Sequence, residues 1–231
     1  MSAAAKSAVL EGYQAAATAE RIASWEAIDD EALLRPVACY LPPPPARLAE
    51  VGAGTGRTAA WLAAKGHEVT AIEPVAALRE AGMALHAACR IGWVDDRLPD
   101  LTSLQDRTFD GVLLIAVWQH LPFASREVAM ARLAAMIAPG GVLLMSLRHG
   151  PGAPGRPVYP CDPAETAGQA AELGLRLLHR EEAPSLQAGN RAMGVTWTWL
   201  AFRAGGSEPG SSAGVMRRAI DQDQRPRSRR S

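Results

Sequence analysis

A chain of 231 residues that is 48% hydrophobic has the length for one α/β domain with a substantial core, and too little for two. Its 24 acidic residues balance 24 basic ones, of which Lys6 and Lys65 are the lysines, so no net charge draws it toward nucleic acid or an anionic membrane. Cys39, Cys89 and Cys161 lack CxxC spacing, the opening MSAAAKSAVLEGYQ has no signal-peptide core, and the run Val112–Val117 is strand-sized, so disulfide frameworks, thiolate zinc sites and membrane spans are set aside and a soluble, cytoplasmic protein is expected.

In chain order, apolar residues at helical spacing predict a helix over 7–23 and a second near 25–40. The run Pro42–Pro45 stops helix formation and makes an extended lead-in. A regular alternation follows: strand 47–51, helix 58–65, strand 67–73, helix 75–88, strand 91–95 and the strongly apolar strand 109–117. A helix over 125–137 is expected to bury Val128, Leu133, Met136 and Ile137, and Pro139-Gly140-Gly141 turns into strand 141–147. Apolar strands alternating with helices predict a parallel sheet covered on both faces. After a Gly/Pro-rich loop at 149–161 come a helix at 163–173, a strand at 175–181, a polar turn at 184–191 and a strand at 195–203. Val195, Trp197 and Trp199 alternate there with Thr196 and Thr198, which suits an antiparallel strand at the sheet edge. The expected organisation is a helical cap and Pro-rich lead-in at 1–45, a domain at 46–203, and a glycine-rich, basic, disordered tail at 204–231.

The segment Glu50-Val51-Gly52-Ala53-Gly54-Thr55-Gly56-Arg57 falls between a strand and a helix. Glycines there admit positive φ and let a ligand touch the main chain, and amides at a helix N-terminus attract electron-rich groups. A dinucleotide fingerprint needs its third glycine at position 57, which is Arg, and no Gly-Lys-Ser/Thr follows to make a phosphate loop. Glu73 ends the next strand, where a carboxylate accepts hydrogen bonds from both ribose hydroxyls.

These residues resemble the class I, Rossmann-like S-adenosylmethionine-dependent methyltransferases over about residues 46–148, with Phe109-Asp110, Trp118–Pro122 and Ala138–Gly141 similar to that family's later motifs in the same order. The resemblance implies a doubly wound, mostly parallel seven-stranded sheet with an antiparallel last strand, helices on both faces and an N-terminal helical cap. It implies that Glu50 and the loop Gly52, Ala53, Gly54, Gly56 and Arg57 hold the methionine end of S-adenosylmethionine, that Glu73 holds the ribose, and that either Asp95 or Asp96 faces adenine. Ile115-Ala116 stands where many members carry a polar residue, which implies contact through backbone carbonyls.

No catalytic dyad announces itself. His120, Arg148, His149 and Tyr159 are the candidate catalytic side chains, read equally as a backbone-bonded loop histidine, solvated loop charges and a lid tyrosine. Tyr13 and Trp25 either cover the cofactor or pack in a core, and Asp110 reads as structural. The expected activity is methyl transfer to a small-molecule acceptor. The alternatives are an NAD(P)-dependent oxidoreductase and a non-catalytic ligand-binding protein on the same fold.

Overall fold

The structure, a computed structural model, describes the backbone of residues 3–206 and side chains from residue 8 onward. The expected tail lies outside the described residues apart from its first positions. Strands β1 (Arg47–Val51), β2 (Glu68–Ile72), β3 (Ile91–Val94), β4 (Phe109–Leu114), β5 (Ile137–His149), β6 (Leu175–Pro184) and β7 (Thr196–Ala204) form one sheet in the order β3-β2-β1-β4-β5-β7-β6. The first five are parallel, and β7 runs antiparallel to both β5 and β6. The edge position expected for 195–203 is therefore taken by β6. With hydrogen-bonded neighbours on both sides, β7 buries Thr198 as completely as Leu200 and Phe202. It also extends one residue into the segment expected to be tail.

Successive strand residues feed two cores. Val112 and Leu114 of β4 join Ala129, Met130 and Leu133 of helix α6 (defined below as Phe123–Ala135) on one face. Leu113 joins Leu48 and, from the helix at Arg57–Ala64, Ala59 and Leu62 on the other. Burying side chains of this size contributes about 1.5–3 kcal/mol each, which is why the sheet is covered on both faces.

The N-terminal region departs from the expected pair of long helices. Helix α1 (Ala3–Ala16) ends before Thr18, whose hydroxyl accepts from the Arg21 amide and opens α2 (Ala19–Glu26). The second expected helix is reduced to α3 (Asp30–Leu34), capped by Asp29 and stopped ahead of Pro36, with a 3₁₀ turn at Ala38–Tyr40. Helices α4 (Arg57–Ala64), α5 (Ala76–Leu85), α6 (Phe123–Ala135) and α7 (Pro163–Glu172) follow the expected alternation, and α8 (Ala188–Ala192) occupies the stretch expected as a polar turn.

On α6 the buried face is Ser125, Arg126, Ala129, Met130 and Leu133, and Val128 is half exposed. Met136 and Ile137 are buried as expected, but past the end of the helix, Met136 as its C-cap and Ile137 as the first residue of β5. That strand starts at Ile137, and the Pro-Gly-Gly segment bulges out between the Phe109↔Ile137 and Gly111↔Val142 pairs. Because β1 pairs with both β2 and β4, the connections leaving β1 and β4 diverge to opposite faces and open a crevice at their carboxyl ends.

Candidate functional site

The crevice is a cavity of about 640 Å³ walled by the glycine loop, the β4 and β5 ends, α1 to α3, the 149–161 loop and the β6–β7 connection. Its volume is in the range of small-ligand sites.

At one end the glycine loop and Glu73 converge. Glu73 is buried, its Oε2 accepts from the Gly54 amide at 2.7 Å, and its Oε1 accepts from the Val75 amide at 2.8 Å. Burial pushes its carboxyl up, against the pull of these two amides. Each carboxylate oxygen has a second lone pair, so the group can bind hydroxyl donors while it anchors the loop. Gly54 adopts φ +60°, and a Cβ built there meets nothing within 4 Å, so the space above it is open. By contrast, Gly52 and Gly56 are pressed against Val117 and Trp93, where a side chain would clash.

Glu50, at 4% exposure, lines the same wall, and its Oε2 has no hydrogen-bond partner among the described residues. Burial, with the nearby Asp30 charge second, pushes its carboxyl up to about 8. Arg57 is turned away from the opening: it pairs with Asp30 and donates to the Ile28 carbonyl at 2.8 Å. Thr58 donates to Asp30 at 2.7 Å, and Thr55 to Glu26, so α2 and α3 are tied to the glycine loop by polar contacts. None of Glu26, Asp30 and their threonine partners was singled out in sequence, since nothing local pairs residues so far apart.

Of the two candidate adenine acids, Asp96 lines the cavity, and its carboxylate caps the Arg97 and Ser103 amides at 2.7 Å each. Asp95 is exposed, outside the cavity wall, and bonded to Arg79 at 2.9 Å. Ile115 lies on the wall, and the next residue, Ala116, takes φ +57°, a costly backbone for a residue with a Cβ. The Ser146 hydroxyl accepts from its amide at 2.9 Å and Gln119 donates to its carbonyl, which holds the turn after β4 in place.

At the other end stand Tyr13, Trp25, His120, Arg148, Arg156 and Trp197. His120 Nδ1 donates to the Pro157 carbonyl at 2.8 Å, which leaves Nε2 to accept from the Tyr13 hydroxyl at 3.0 Å. Burial lowers the His120 pKa, with Arg156 and Arg148 adding to the effect, so the ring is neutral near pH 7 with a basic Nε2. His149 and Tyr159 sit elsewhere. His149 Nε2 meets Thr198 Oγ1 at 2.7 Å across the β5–β7 pair, outside the cavity wall. Tyr159 is also off the wall, and its backbone fastens the loop through its amide on Gln119 and its carbonyl under Arg126. Asp110 accepts from the Arg47 amide at 2.8 Å at the far end of the sheet, and its pKa is lowered by that bond.

Among the described residues there is no His/Cys/Asp/Glu cluster that could hold a metal ion, and no helix is long and apolar enough to cross a membrane.

Residues 49–145 match the family described as Methyltransferase domain. None of the curated proteins compared with the chain matches its sequence. Among solved structures, the 1,6-didemethyltoxoflavin-N1-methyltransferase of Burkholderia thailandensis, bound to 1,6-didemethyltoxoflavin and S-adenosylhomocysteine, is 23% identical with a TM-score of 0.61, over 76% of this chain and 80% of that one. The N-methyltransferase NodS of Bradyrhizobium japonicum, in complex with S-adenosylhomocysteine, is 17% identical with a TM-score of 0.57, over 80% and 97%. The magnesium protoporphyrin IX methyltransferase of Synechocystis, with bound S-adenosylmethionine, is 14% identical with a TM-score of 0.56, over 84% and 80%. At these identities the structural likeness speaks for the fold.

Proposed function

We propose that the chain, whose residues 49–145 match the family described as Methyltransferase domain, is a class I S-adenosylmethionine-dependent methyltransferase, and that it methylates a small molecule held at the Tyr13–His120 end of the cavity. The observation that carries the reading is the convergence of the Gly54 amide and the Glu73 carboxylate on one open wall, beside the unpartnered oxygen of Glu50. The donor set fits the cofactor: Glu73 would hold its ribose hydroxyls, Glu50 its ammonium, and Asp96 its adenine edge. Gly52, Ala53 and Gly54 line the same wall, but their amides are taken by the Ile72 carbonyl and Glu73, so they would meet it by close packing of the main chain, with Ile115 a backbone contact past β4. Gly56 and Arg57 serve indirectly, through packing on Trp93 and the tie to Asp30.

When bound, S-adenosylmethionine supplies a methyl group already activated by its sulfonium. The chain then has to align a nucleophile with that group and keep water away, which is where proximity lowers the barrier. His120 Nε2 takes the acceptor's proton, directly or through Tyr13 Oη, while Nδ1–H on Pro157 fixes the ring. The N-terminal helices and the 149–161 loop act as the cap over residues 46–203. Three free cysteines suit a reducing compartment, and we place the protein in the cytoplasm.

The test is a thermal shift. S-adenosylhomocysteine at 100 times its Kd adds about 2.7 kcal/mol of stability and raises Tm, and NADH leaves it unchanged. Stabilisation by NADH alone restores the oxidoreductase reading. Retained cofactor binding with no transfer to any acceptor supports the non-catalytic one.

A further inference from the structure

The acceptor end carries positive charge that the transfer itself does not require. Arg148, in the last residues of β5, donates through Nε and Nη2 to the Pro151 carbonyl at 3.2 and 2.8 Å, and through Nη2 to Asn190 Oδ1 at 3.3 Å. Its guanidinium carbon lies 5.6 Å from the Trp197 ring centroid. Arg156, in the loop after β5, stands 5.1 Å from the Tyr13 centroid and 6.0 Å from that of Trp25, and its Nε is buried with no hydrogen-bond partner. Among the described residues neither guanidinium forms an ion pair with a carboxylate.

Both residues are partly buried, and two like charges partly withdrawn from water near each other favour an anion joining them. Burial lowers the pKa of Arg148, and the field of Arg156 lowers it further. The acids of the cavity wall are Glu50, Glu73 and Asp96, of which Glu73 is near enough for its charge to act on Tyr13. The surfaces around the guanidiniums are the flat rings of Tyr13, Trp25 and Trp197.

We propose that the acceptor is a planar aromatic acid bearing a ring hydroxyl, its carboxylate taken by Arg148 and Arg156 and its ring seated among Tyr13, Trp25 and Trp197. The inference rests on the methyl-transfer reading, since it names that reaction's substrate. The Nε–Nη2 edge of Arg148 is held on Pro151, so Nη1 of Arg148 and the guanidinium of Arg156, whose Nε is unpartnered, are the donors left for the two oxygens of a carboxylate, and aromatic walls match a flat ring. The step balances: the hydroxyl proton goes to His120 Nε2, the O–CH₃ bond forms, and the S–CH₃ bond breaks with its electron pair left on sulfur as a neutral thioether. The carboxylate has a second effect. It offsets the arginine field that lowers the His120 pKa, so the substrate strengthens the base that deprotonates it.

The test uses the full chain saturated with S-adenosylhomocysteine, titrated in a calorimeter with 4-hydroxybenzoate and 6-hydroxy-2-naphthoate, with their primary amides, and with phenyl phosphate. The acids bind about tenfold or more tightly than the amides, and Arg148→Met and Arg156→Met each remove that preference while S-adenosylhomocysteine still binds. The acid–amide comparison in the unmodified protein stands even if a variant folds poorly. Equal binding of acid and amide, tighter binding of phenyl phosphate, or a preference that survives both substitutions overturns the proposal. If the wild type binds the acids but not S-adenosylhomocysteine, the methyl-transfer reading falls and takes this one with it. If it binds S-adenosylhomocysteine without preferring acids, this inference falls alone.

Discussion

A carboxyl folded into a dry wall with one oxygen unpartnered costs stability until something neutralises it, and Glu50 is in that position. Its pKa rises from 4.5 to about 8, so between these values the folded protein holds a proton that the unfolded chain has released. That contribution to stability is complete below pH 4.5 and falls away as pH rises toward 8, at no more than about 1.4 kcal/mol per pH unit. Denaturant melts at either end of the window should show the loss, and Glu50→Gln should flatten it. An ammonium-bearing ligand favours the ionised carboxylate, so S-adenosylhomocysteine should bind more tightly as pH rises through that window. It should also release a proton, visible in calorimetry as a heat that depends on the buffer. Gly54 gives the complementary case. Ala at φ +60° costs about 1–2 kcal/mol of backbone strain and meets no protein atom, so Gly54→Ala should melt slightly lower but lose cofactor affinity far beyond that. Equal losses in melting and binding would show that the space above Gly54 is not the ligand's. At this scale the sequence named Glu50, Glu73 and the glycines because they cluster on one strand–loop–helix unit with demanding chemistry. It left Asp95 and Asp96 open, since one residue of loop register decides which turns inward and which meets Arg79. Arg156 was invisible, because a Gly/Pro loop has no periodicity from which a facing direction follows.

Between elements, the cap closes where α1 crosses the loop after β5. A Cβ on Gly12 would collide with the Gly155 carbonyl, so the two backbones touch at a glycine. Gly12→Ala should push α1 off the loop, at a cost in the range of about 1–3 kcal/mol typical of overpacking. The partnership of Tyr13 and His120 should loosen with it. Limited proteolysis should cut α1 faster in the variant, and S-adenosylhomocysteine should protect it less. Unchanged cutting would mean that the crossing is not a closure. The strands β1, β2, β4 and β5 were legible because two-sided burial writes itself as continuous apolar runs. The N-terminal helices were less so, because their breaks depend on Thr18, Asp29 and Pro36 acting over single residues. The place of β7 differs for another reason: alternation of Trp with Thr looks like one wet face, yet Thr198 lies under protein and only Thr196 stays exposed.

Across the whole molecule the cavity draws on almost the full length of the chain, from Tyr13 on α1 to Trp197 and Trp199 on β7. The cofactor wall is built by contacts within the first half, and the acceptor wall by contacts between the two ends. The family match at 49–145 covers the former and, of the latter, only His120. One consequence concerns synthesis. The strand made last lies between two made earlier, β5 and β6. On the ribosome β6 has α7 to pack on but no strand partner until the chain has been extended through Ala204, so the nascent protein waits with an open slot in its sheet. A message cut short before that codon therefore yields a chain that can shape the nucleoside wall yet never shut the far side of its chamber.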